Sequence, residues 1–484
     1  MLIYNTASRQ LEKLILTEPG TVKIYVCGPT PYDYTHVGHA RVYVFFDIVR
    51  RYFEYLGLEV KLVVNFTDID DKILNRARSE GRDWREITET YIKDYYEVCE
   101  KLHIKPAYKN PRVTEHIQDM VDAIKKLIEL GYAYVTPDHS VYFDVTKVPN
   151  YGELSHQKIE ELIAGARVEP EPYKRNPLDF ALWKGRKPGE PWWETPWGPG
   201  RPGWHLECVV MATKYLGQVF DIHGGGQDLV FPHHENELAI ARVLHGPSSF
   251  ARYWMHVGLV TIKGEKMSKS LGNIVLVKDV LAKYNPEVFR LYIASTQYRK
   301  PLDFAMEHLE QYRTILDTLY TAHDYLKEVI KERGTVTSID PDRLSDRERD
   351  AVVKVNSYVE EFEKYMNNDF NTPKALSTLI SLAKYIITTI VTSEEKLSTE
   401  VLSYIYSTYL DLCNVFGVLN EVTPPVNYEK LVHELIDLVL EIRSDLRKIK
   451  LWELADKIRA KLSELGIAVS DYRLKSYWKW RRNI

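Results

Sequence analysis

The chain has 484 residues, of which 45% are hydrophobic and 27% charged, and its formal net charge is -4 at pH 7. This length allows about two to four domains with cores of their own, and the composition is that of a globular protein. The charge excludes a protein coated in basic residues, although a local basic patch remains allowed. We expect neither a signal peptide nor a membrane segment, because the N-terminus lacks the signal pattern and no apolar run is long enough.

The four cysteines are widely spaced and form no Cys-x-x-Cys pair; they are Cys27, Cys99, Cys208 and Cys413. Four thiols in a chain of this length suit a reducing cytoplasm. There, a cysteine near His and Glu side chains is more often a metal ligand than half of a disulfide. We therefore expect a cytoplasmic protein without structural disulfides.

The first part of the chain predicts a βαβ unit. TVKIYV (21–26) and VKLVVNF (60–66) have the short, β-branched pattern of buried strands. Between them, residues 40–57 carry apolar side chains at helical spacing and end at Gly57, a typical helix stop. A strand, a glycine-containing loop, a helix and a second strand form the repeating unit of a parallel, nucleotide-binding sheet.

The middle of the chain changes pattern. A helix is predicted after residue 67, with Thr67-x-x-Asp70 resembling a variant capping box. A further helix and a hairpin (133–145) precede a proline- and tryptophan-rich stretch at 169–205. This stretch is either a stiff surface connection or, as we expect from its five tryptophans, a segment that folds over a site.

The last part of the chain begins with a strand pattern at QVFDIH (218–223), a glycine-rich turn and a helix. WMHVGLVTI (254–262) and GEKMSKSLGN (264–273) follow. Beyond Asp303 the pattern is almost wholly amphipathic helix to about residue 465, and the chain ends with the basic, aromatic YWKWRRNI.

FPHHENE (231–237) concentrates two histidines and two glutamates in seven residues. On a helix, His233 and Glu237 lie on one face, while His234 and Glu235 point elsewhere. Together with Cys27 and Cys208 they would supply two thiolates, one imidazole and one carboxylate, a set that suits tetrahedral Zn²⁺. The alternatives are a solvated helix start for the heptapeptide and a structural role for either cysteine.

Two further motifs could handle phosphate. THVGHAR places His36, Gly38 and His39 at the start of the first predicted helix, where glycine lets a phosphate approach and imidazoles can stabilise its charge. KMSKS places Lys266 and Lys269 in a loop, where they can hold a triphosphate. The alternatives are a polar helix entry for the first motif and a solvated charged face for the second.

HVGH followed by KMSKS resembles the signature pair of class I aminoacyl-tRNA synthetases. The longer stretches YVCGPTPYDYTHVGHAR, NFTDIDDKI, RPGWHLEC, HGGGQDLVFPHHENE and KMSKSLGN are similar to the cysteinyl-tRNA synthetase family. The resemblance is dense over about residues 1–305 and extends to the remainder only in layout. Val37 replaces the usual isoleucine of the first motif, and SYWKWRRNI departs from the Gly/Thr-rich basic tail of bacterial members.

The resemblance implies an α/β fold: a Rossmann-like parallel-sheet catalytic domain with an inserted connective segment, followed by an α-helical tRNA-binding region. The implied segments are the catalytic domain 1–305, with halves at about 15–106 and 205–305, the insertion at about 107–204, the KMSKS loop 264–273, the tRNA-binding helical bundle 306–465 and the basic aromatic tail 466–484.

The resemblance also implies the activity. L-cysteine and ATP, with Mg²⁺, would form cysteinyl-adenylate and pyrophosphate, and the cysteinyl group would move to the 3′ end of tRNA(Cys). A monomer is expected. The rival interpretations are a paralogous ligase that joins cysteine to an amino sugar, and a catalytically inactive tRNA-binding paralogue. The long C-terminal region argues against the first rival, and the intact HVGH and KMSKS motifs argue against the second.

By position, the resemblance assigns a role to each candidate residue. The ligands of one zinc ion per subunit would be Cys27, Cys208, His233 and Glu237. The groups that stabilise and hold the ATP phosphates would be His36, Gly38, His39, Lys266 and Lys269. The cysteine pocket would comprise Cys27, Thr67, Trp204, His205 and Asp228, with Asp228 facing the substrate ammonium group.

Overall fold

A computed structural model describes residues 1–157, 173–267, 271–333, 343–391, 397–420, 428–465, 467–472 and 475–480. The chain forms two compact units, Met1–Asn420 and Glu421–Ile484. In the described residues, no helix combines the length and the apolar character needed to cross a membrane.

The strands, in chain order, are β1 (Leu2–Asn5), β2 (Gln10–Lys13), β3 (Thr21–Val26), β4 (Glu59–Val64), β5 (Ala133–Val135), β6 (Val141–Phe143), β7 (Phe180–Gly185), β8 (Gly200–Pro202), β9 (Val219–Gly226), β10 (Phe250–Val257), β11 (Val260–Ile262), β12 (Glu265–Lys266), β13 (Leu302–Asp303), β14 (Ile467–Tyr472) and β15 (Lys475–Trp480). The helices are α1 (Val37–Tyr55), α2 (Asp71–Glu80), α3 (Trp84–Lys101), α4 (Ile117–Glu129), α5 (Trp204–Leu216), α6 (Glu235–His245), α7 (Val277–Leu281), α8 (Pro286–Ala294), α9 (Leu309–Arg333), α10 (Asp346–Met366), α11 (Thr372–Tyr385), α12 (Thr399–Phe416), α13 (Tyr428–Lys448) and α14 (Trp452–Glu464).

The centre of the first unit is a four-stranded parallel sheet in the order β10-β9-β3-β4. Helices cover its strands, so β3 and β4 read as nearly continuous apolar runs rather than as an alternating pattern. From β3 the chain continues to β4 on one side of the sheet, and from β9 it continues to β10 on the other side. The strand order therefore reverses between β3 and β9. Ligands of open parallel sheets bind at the carboxyl ends of the strands at such a point.

The predicted βαβ unit is confirmed as β3, α1 and β4. Gly57 follows the end of α1 with a φ of +80°, a left-handed conformation that favours glycine. The capping box predicted at Thr67 is wrong. Asp70 caps α2 by accepting a hydrogen bond from the Lys72 backbone N–H, and the Thr67 hydroxyl donates instead to the buried Glu207 carboxylate.

The predicted insertion contains α4 and a four-stranded antiparallel sheet in the order β5-β6-β7-β8. The tryptophan-rich stretch contributes β7 and β8 to that sheet, and Trp183 is fully buried with the Trp197 ring 6.0 Å away, edge to face. The expectation that this stretch folds over a site is therefore wrong for Trp183 and Trp197, which build the core of the insertion. Trp204, at the start of α5, is the exception described below. Residues 169–172 lie outside the described part of the chain.

Helices α9 to α12 belong to the first unit and share one hydrophobic core with the parallel sheet. The second unit has its own small core, in which Ile467 of β14 packs with Ile436, Leu440 and Leu462 of α13 and α14. Its strands β14 and β15 pair antiparallel. The division after Asn420 differs from the predicted boundaries at 305/306 and 465/466. Helices α9 to α12 share the core of the parallel sheet, and Ile467 of the predicted tail belongs to the core of α13 and α14.

Candidate active site and metal centre

The candidate site lies at the carboxyl ends of β3 and β9, where the strand order reverses. Cys27 directly follows β3, and its backbone N–H donates to the Gly224 carbonyl at 3.1 Å. Gly224 lies so close to α1 that an added Cβ would stand 2.0 Å from the Phe46 ring. The glycine run of the HGGGQDL stretch is therefore needed, at this position, for close packing between strand and helix.

The structure brings the four predicted metal ligands together. The ligand atoms of Cys27, Cys208, His233 and Glu237 all lie within 4.8 Å of one another. The two sulfurs are 3.7 Å apart, and His233 Nε2 lies 3.6 Å from Cys208 Sγ and 2.8 Å from Glu237 Oε1. Two sulfurs, one nitrogen and one oxygen in a buried cluster fit the donor preferences of Zn²⁺.

The electrostatics of the cluster fit a bound cation. Burial, together with the Cys208 sulfur and the Glu237 carboxylate, raises the pKa of the Cys27 thiol. Burial would also raise the pKa of Cys208, but hydrogen bonds with Cys27 and His233 hold it below its usual value. The pKa of Glu237 is lowered despite burial because His233 and His223 flank it. A metal ion offsets such crowded negative charge and allows both thiols to ionise.

In FPHHENE, His234 and Glu235 also make contacts that the helical spacing does not predict. The expectation that His234 points away from the metal face is wrong, because His234 Nε2 lies 3.2 Å from Cys27 Sγ. Residues 230–234 form a wide turn in which Phe231 has an extended backbone, and regular helix begins only at Glu235. In this turn His234 faces Cys27, while His233 and Glu237 still meet as their i, i+4 spacing predicts. The Glu235 carboxylate accepts backbone hydrogen bonds from Gly152 and Ser155 and so anchors a loop of the insertion.

His223 is a site residue that the sequence patterns did not reveal. Its Nε2 lies 2.5 Å from Glu237 Oε2, and it joins Cys27, His234 and Glu237 in a second group of four donors that share Cys27 and Glu237 with the first. Its position near the carboxyl end of the predicted strand QVFDIH was the available signal, because α/β sites collect there.

The predicted amino-acid pocket is brought together in part. The Trp204 ring stacks on His233 with centroids 3.9 Å apart, and His205 Nδ1 lies 3.1 Å from His233 Nδ1. Burial lowers the pKa of His205 well below its usual value, which keeps that ring neutral. Thr67 is buried and donates to Glu207, the neighbour of Cys208. Asp228, in contrast, is exposed in the short turn Gln227–Leu229.

The HVGH motif lines a neighbouring cleft of about 200 Å³. His36 caps α1 by accepting a hydrogen bond from the His39 N–H, and the two rings stack 3.6 Å apart. An added Cβ on Gly38 would stand 3.1 Å from the His36 ring and 3.2 Å from Met267 Cε, so the KMSKS methionine lies against this glycine. Lys266, at the end of β12, is exposed, and Lys269 lies outside the described residues.

The sequence matches two known domain families. One, described as the tRNA synthetases class I (C) catalytic domain, covers residues 14–314, and the other, the DALR domain, covers residues 361–420. A cysteine–tRNA ligase of Pyrobaculum islandicum is 54% identical over the whole of both chains. Cysteine–tRNA ligases of Thermococcus gammatolerans and Aquifex aeolicus are each 46% identical to this chain. Both matches cover 99% of this chain, together with 98% of the Thermococcus protein and 99% of the Aquifex protein.

Solved structures share the fold at low sequence identity. A Mycobacterium tuberculosis methionyl-tRNA synthetase with methionyl-adenylate superposes with a TM-score of 0.59 at 16% identity, over 82% of this chain and 89% of that one. The LeuRS of Agrobacterium radiobacter K84, in a ternary complex with tRNA, superposes with a TM-score of 0.62. Its sequence identity is 11%, and the match covers 84% of this chain and 86% of that one. These neighbours confirm the predicted fold class. Since the relatives match along the whole chain, the resemblance seen in the motifs is confirmed, and this chain belongs to the cysteine–tRNA ligase family of class I aminoacyl-tRNA synthetases.

Proposed function

We propose that the protein is an ATP-dependent, AMP-forming cysteine–tRNA ligase whose buried Cys₂-His-Glu cluster selects the amino acid. The observation that carries the proposal is that cluster, formed by Cys27, Cys208, His233 and Glu237 at the switch point of the sheet. It adjoins the stretch of chain that leads from β3 to the HVGH cleft. A sulfur-preferring site beside a phosphate site is the combination that activation of cysteine requires.

The phosphate half of the reaction is assigned to the HVGH and KMSKS motifs. His36 and His39, stacked at the N-terminus of α1, would donate hydrogen bonds to the α-phosphate as negative charge develops on it. Gly38 carries no side chain that would block the nucleotide at the helix end, where Met267 lies in this structure. Lys266 and Lys269 would hold the β and γ phosphates, and Mg²⁺ would accompany ATP. Because Val37 N–H donates to the Val275 carbonyl at 3.0 Å, the segment after KMSKS is already joined to the start of α1.

The amino-acid half of the reaction is assigned to the metal cluster, with one zinc ion per subunit. Bound to these four residues, zinc would supply a Lewis acid that binds a thiolate far better than a hydroxyl. Cysteine and serine are nearly isosteric, and a pocket that measures only size separates such pairs by about a hundredfold. The chain's own contribution is to hold Cys27 and Cys208 on one side and His233, fixed by stacking on Trp204, on the other.

The remaining pocket residues would orient the substrate. His205 is neutral and close to His233, so it can accept or donate a single hydrogen bond at the pocket wall. Thr67, just beyond β4, would act indirectly, because its buried hydroxyl donates to Glu207 beside Cys208. Asp228 is exposed, so facing the substrate ammonium group would require its turn to close over the bound amino acid.

The C-terminal half is assigned to tRNA(Cys). The region 306–465 includes the DALR match at 361–420, and the basic, aromatic tail 466–484 provides charges and rings of the kind that contact RNA backbone and bases. A ligase of this kind works where translation takes place, so we propose a cytoplasmic, monomeric enzyme. The rival amino-sugar ligase has no use for a tRNA-reading region, and full-length identity to cysteine–tRNA ligases favours the main proposal.

The test is amino-acid-dependent ATP–pyrophosphate exchange, followed by charging of tRNA(Cys). The wild-type protein should exchange with cysteine and not with serine, and it should acylate tRNA(Cys). His233→Ala should lose both metal and exchange, while His245→Ala, at the far end of the helix that follows His233, should keep both. Exchange without tRNA charging would favour the amino-sugar ligase, and absence of exchange in zinc-loaded protein would reject both enzymes.

A further inference from the structure

The turn after β1 is connected to the metal cluster by an unbroken line of hydrogen bonds. Thr6 Oγ1 lies 2.7 Å from His256 Nδ1, His256 Nε2 lies 2.8 Å from His234 Nδ1, and His234 Nε2 lies 3.2 Å from Cys27 Sγ. The backbone fixes both ends, because Thr6 N–H donates to the Trp254 carbonyl at 3.0 Å and Cys27 N–H donates to β9. We name this line the Thr6–Cys27 relay: Thr6, His256, His234 and Cys27.

The relay has a single direction when Cys27 is a metal ligand. A ligating thiolate can only accept hydrogen bonds, so His234 must present N–H at Nε2. His234 and His256 are 0% and 6% exposed, and such burial favours neutral rings with one N–H each. His234 Nδ1 then accepts from His256 Nε2–H, and His256 Nδ1 accepts from the Thr6 hydroxyl. Each ring is thereby restricted to one tautomer.

We propose that Thr6, His256 and His234 are positioning residues that orient a hydrogen-bond donor at the Cys27 sulfur and thereby set the metal affinity of the site. This inference rests on the proposed function, since it assumes that Cys27 binds the metal. It gives the small β1–β2 hairpin, which lies outside the parallel sheet, a role in the active site. Thr6 acts only through the two histidines, and its hydroxyl is the donor that ends the relay.

The expected size of the effect follows from comparable outer partners of metal ligands. Removing such a partner typically weakens metal binding by about 10- to 100-fold. Thr6→Val keeps the β-branched shape and removes the terminal donor, so we expect a loss within that range. Thr6→Ser keeps the hydroxyl and should restore wild-type affinity. His256→Phe interrupts the relay at a second point and should resemble Thr6→Val.

Thr17→Val is the matched control. The Thr17 hydroxyl is buried and makes no hydrogen bond within the described residues, while its backbone N–H is held by Asp221, so the same substitution there leaves the relay intact. The full-length proteins are compared by zinc competition with a chromophoric chelator and by the sulfur-to-metal charge-transfer band after cobalt substitution. Thr6→Val and His256→Phe should weaken zinc binding and shift the band, whereas Thr6→Ser and Thr17→Val should match the wild type.

The outcomes separate this inference from the function on which it rests. Wild-type zinc affinity and an unshifted cobalt band in folded Thr6→Val overturn the relay and leave the proposed function standing. If Thr6→Val does not fold, the same result in His256→Phe overturns the relay. A wild-type protein that binds zinc but activates serine as well as cysteine overturns the proposed selection and leaves the relay standing.

Discussion

Glu237 is the residue on which the two overlapping donor groups converge. One carboxylate oxygen lies 2.8 Å from His233 Nε2 and the other lies 2.5 Å from His223 Nε2. The carboxylate is fully buried, and the Cys27 sulfur lies 3.5 Å from the oxygen that faces His233. Its negative charge is therefore needed both to hold His233 in place and to balance a metal ion.

Glu237→Gln should keep the shape of the side chain but weaken zinc binding by more than about 100-fold, because even the loss of an outer partner costs about 10- to 100-fold. Cysteine-dependent pyrophosphate exchange should fall with it. Glu235→Gln is the control, since Glu235 accepts hydrogen bonds from the insertion loop and belongs to neither donor group. Zinc content measured by atomic absorption checks the prediction, and a fully loaded Glu237→Gln protein would contradict it.

A second prediction for a single residue concerns Lys269. Lys269→Ala should slow adenylate formation by about 100- to 1,000-fold, as the loss of one charge contact in a transition state does, and hardly change cysteine binding. Lys283→Ala, an exposed lysine beyond the motif, serves as the control. The rate of cysteine-dependent ATP–pyrophosphate exchange measures adenylate formation. Exchange at the wild-type rate in Lys269→Ala would exclude this role.

Local spacing predicted some site residues and missed others for identifiable reasons. His233 and Glu237 stand four residues apart, which correctly suggested that they meet. His234 was misplaced because the backbone at Phe231 is extended and the turn before Glu235 is wide. His223 was missed because its contact with Glu237 depends on how β9 lies against α6, which no local pattern contains.

Among the secondary-structure elements, a buried ion-pair network joins α1 to α8 and α12. Asp47 of α1 pairs with Arg51 at 2.7 Å and with Arg290 of α8 at 2.6 Å. Arg290 Nε also donates to the Phe416 carbonyl at the end of α12, and Arg51 donates to Asn414. The side chains of Asp47, Arg51 and Arg290 are only 0 to 5% exposed, so each buried charge needs the opposite charges of its neighbours to offset its loss of hydration. The network fixes the helical region against the catalytic sheet within the first unit.

Asp47→Asn should destabilise the first unit by about 3–5 kcal/mol, because it leaves two buried guanidinium groups without their carboxylate. Glu54→Gln, which alters a more exposed pair on the same helix, should cost less than about 1 kcal/mol. Urea denaturation monitored by circular dichroism measures both values. Equal effects of the two substitutions would contradict the ranking.

The same network predicts a pH dependence. Burial alone would raise the pKa of Asp47, but the charges of Arg290 and Arg51 hold it below its usual value. A carboxylate with a folded pKa below its unfolded value of about 3.9 stabilises the protein above that pH and loses this contribution as the pH falls through the folded pKa. The stability gap between wild type and Asp47→Asn should therefore be constant near neutrality and narrow in acid below about pH 4. A gap that widens in acid would contradict the assignment.

The sequence predicted the regular elements of the sheet better than their packing. TVKIYV matches β3 without an error in its ends, and α1 begins three residues before its predicted start because His36 caps it. The tryptophan-rich stretch was misplaced because proline and glycine suggested a loop, while Trp183 lies in β7 and is buried by the sheet of the insertion. The partner of a buried aromatic ring is a tertiary property.

In the molecule as a whole, the region that we propose for tRNA binding, residues 306–465 with the tail 466–484, spans the boundary between the two compact units. The first unit contains the sheet, the metal cluster, the HVGH cleft and α9 to α12. The second contains α13, α14 and the β14–β15 hairpin around a core of its own. The boundary at Asn420 was not predictable from helical periodicity, which continues on both sides of it.

Truncation after Asn420 should therefore leave cysteine-dependent pyrophosphate exchange nearly intact and strongly reduce tRNA charging, since it removes a separate unit at its boundary. Truncation after residue 465 is a poorer cut because it removes Ile467 from the core of the second unit. Exchange and charging are measured on the same preparations. A parallel loss of both activities in the Asn420 truncation would mean that the second unit supports the catalytic fold.

Recognition of cysteine through its sulfur, by the Cys27–Cys208–His233–Glu237 cluster, is the step on which the proposed function depends. X-ray absorption at the zinc edge of the zinc-loaded protein counts the sulfur ligands directly. The four side chains offer two sulfurs, so we predict two sulfur ligands without substrate, three with cysteine and two with serine. A count that stays at two in saturating cysteine would contradict sulfur recognition, because the metal would then be structural and selection would lie elsewhere in the pocket.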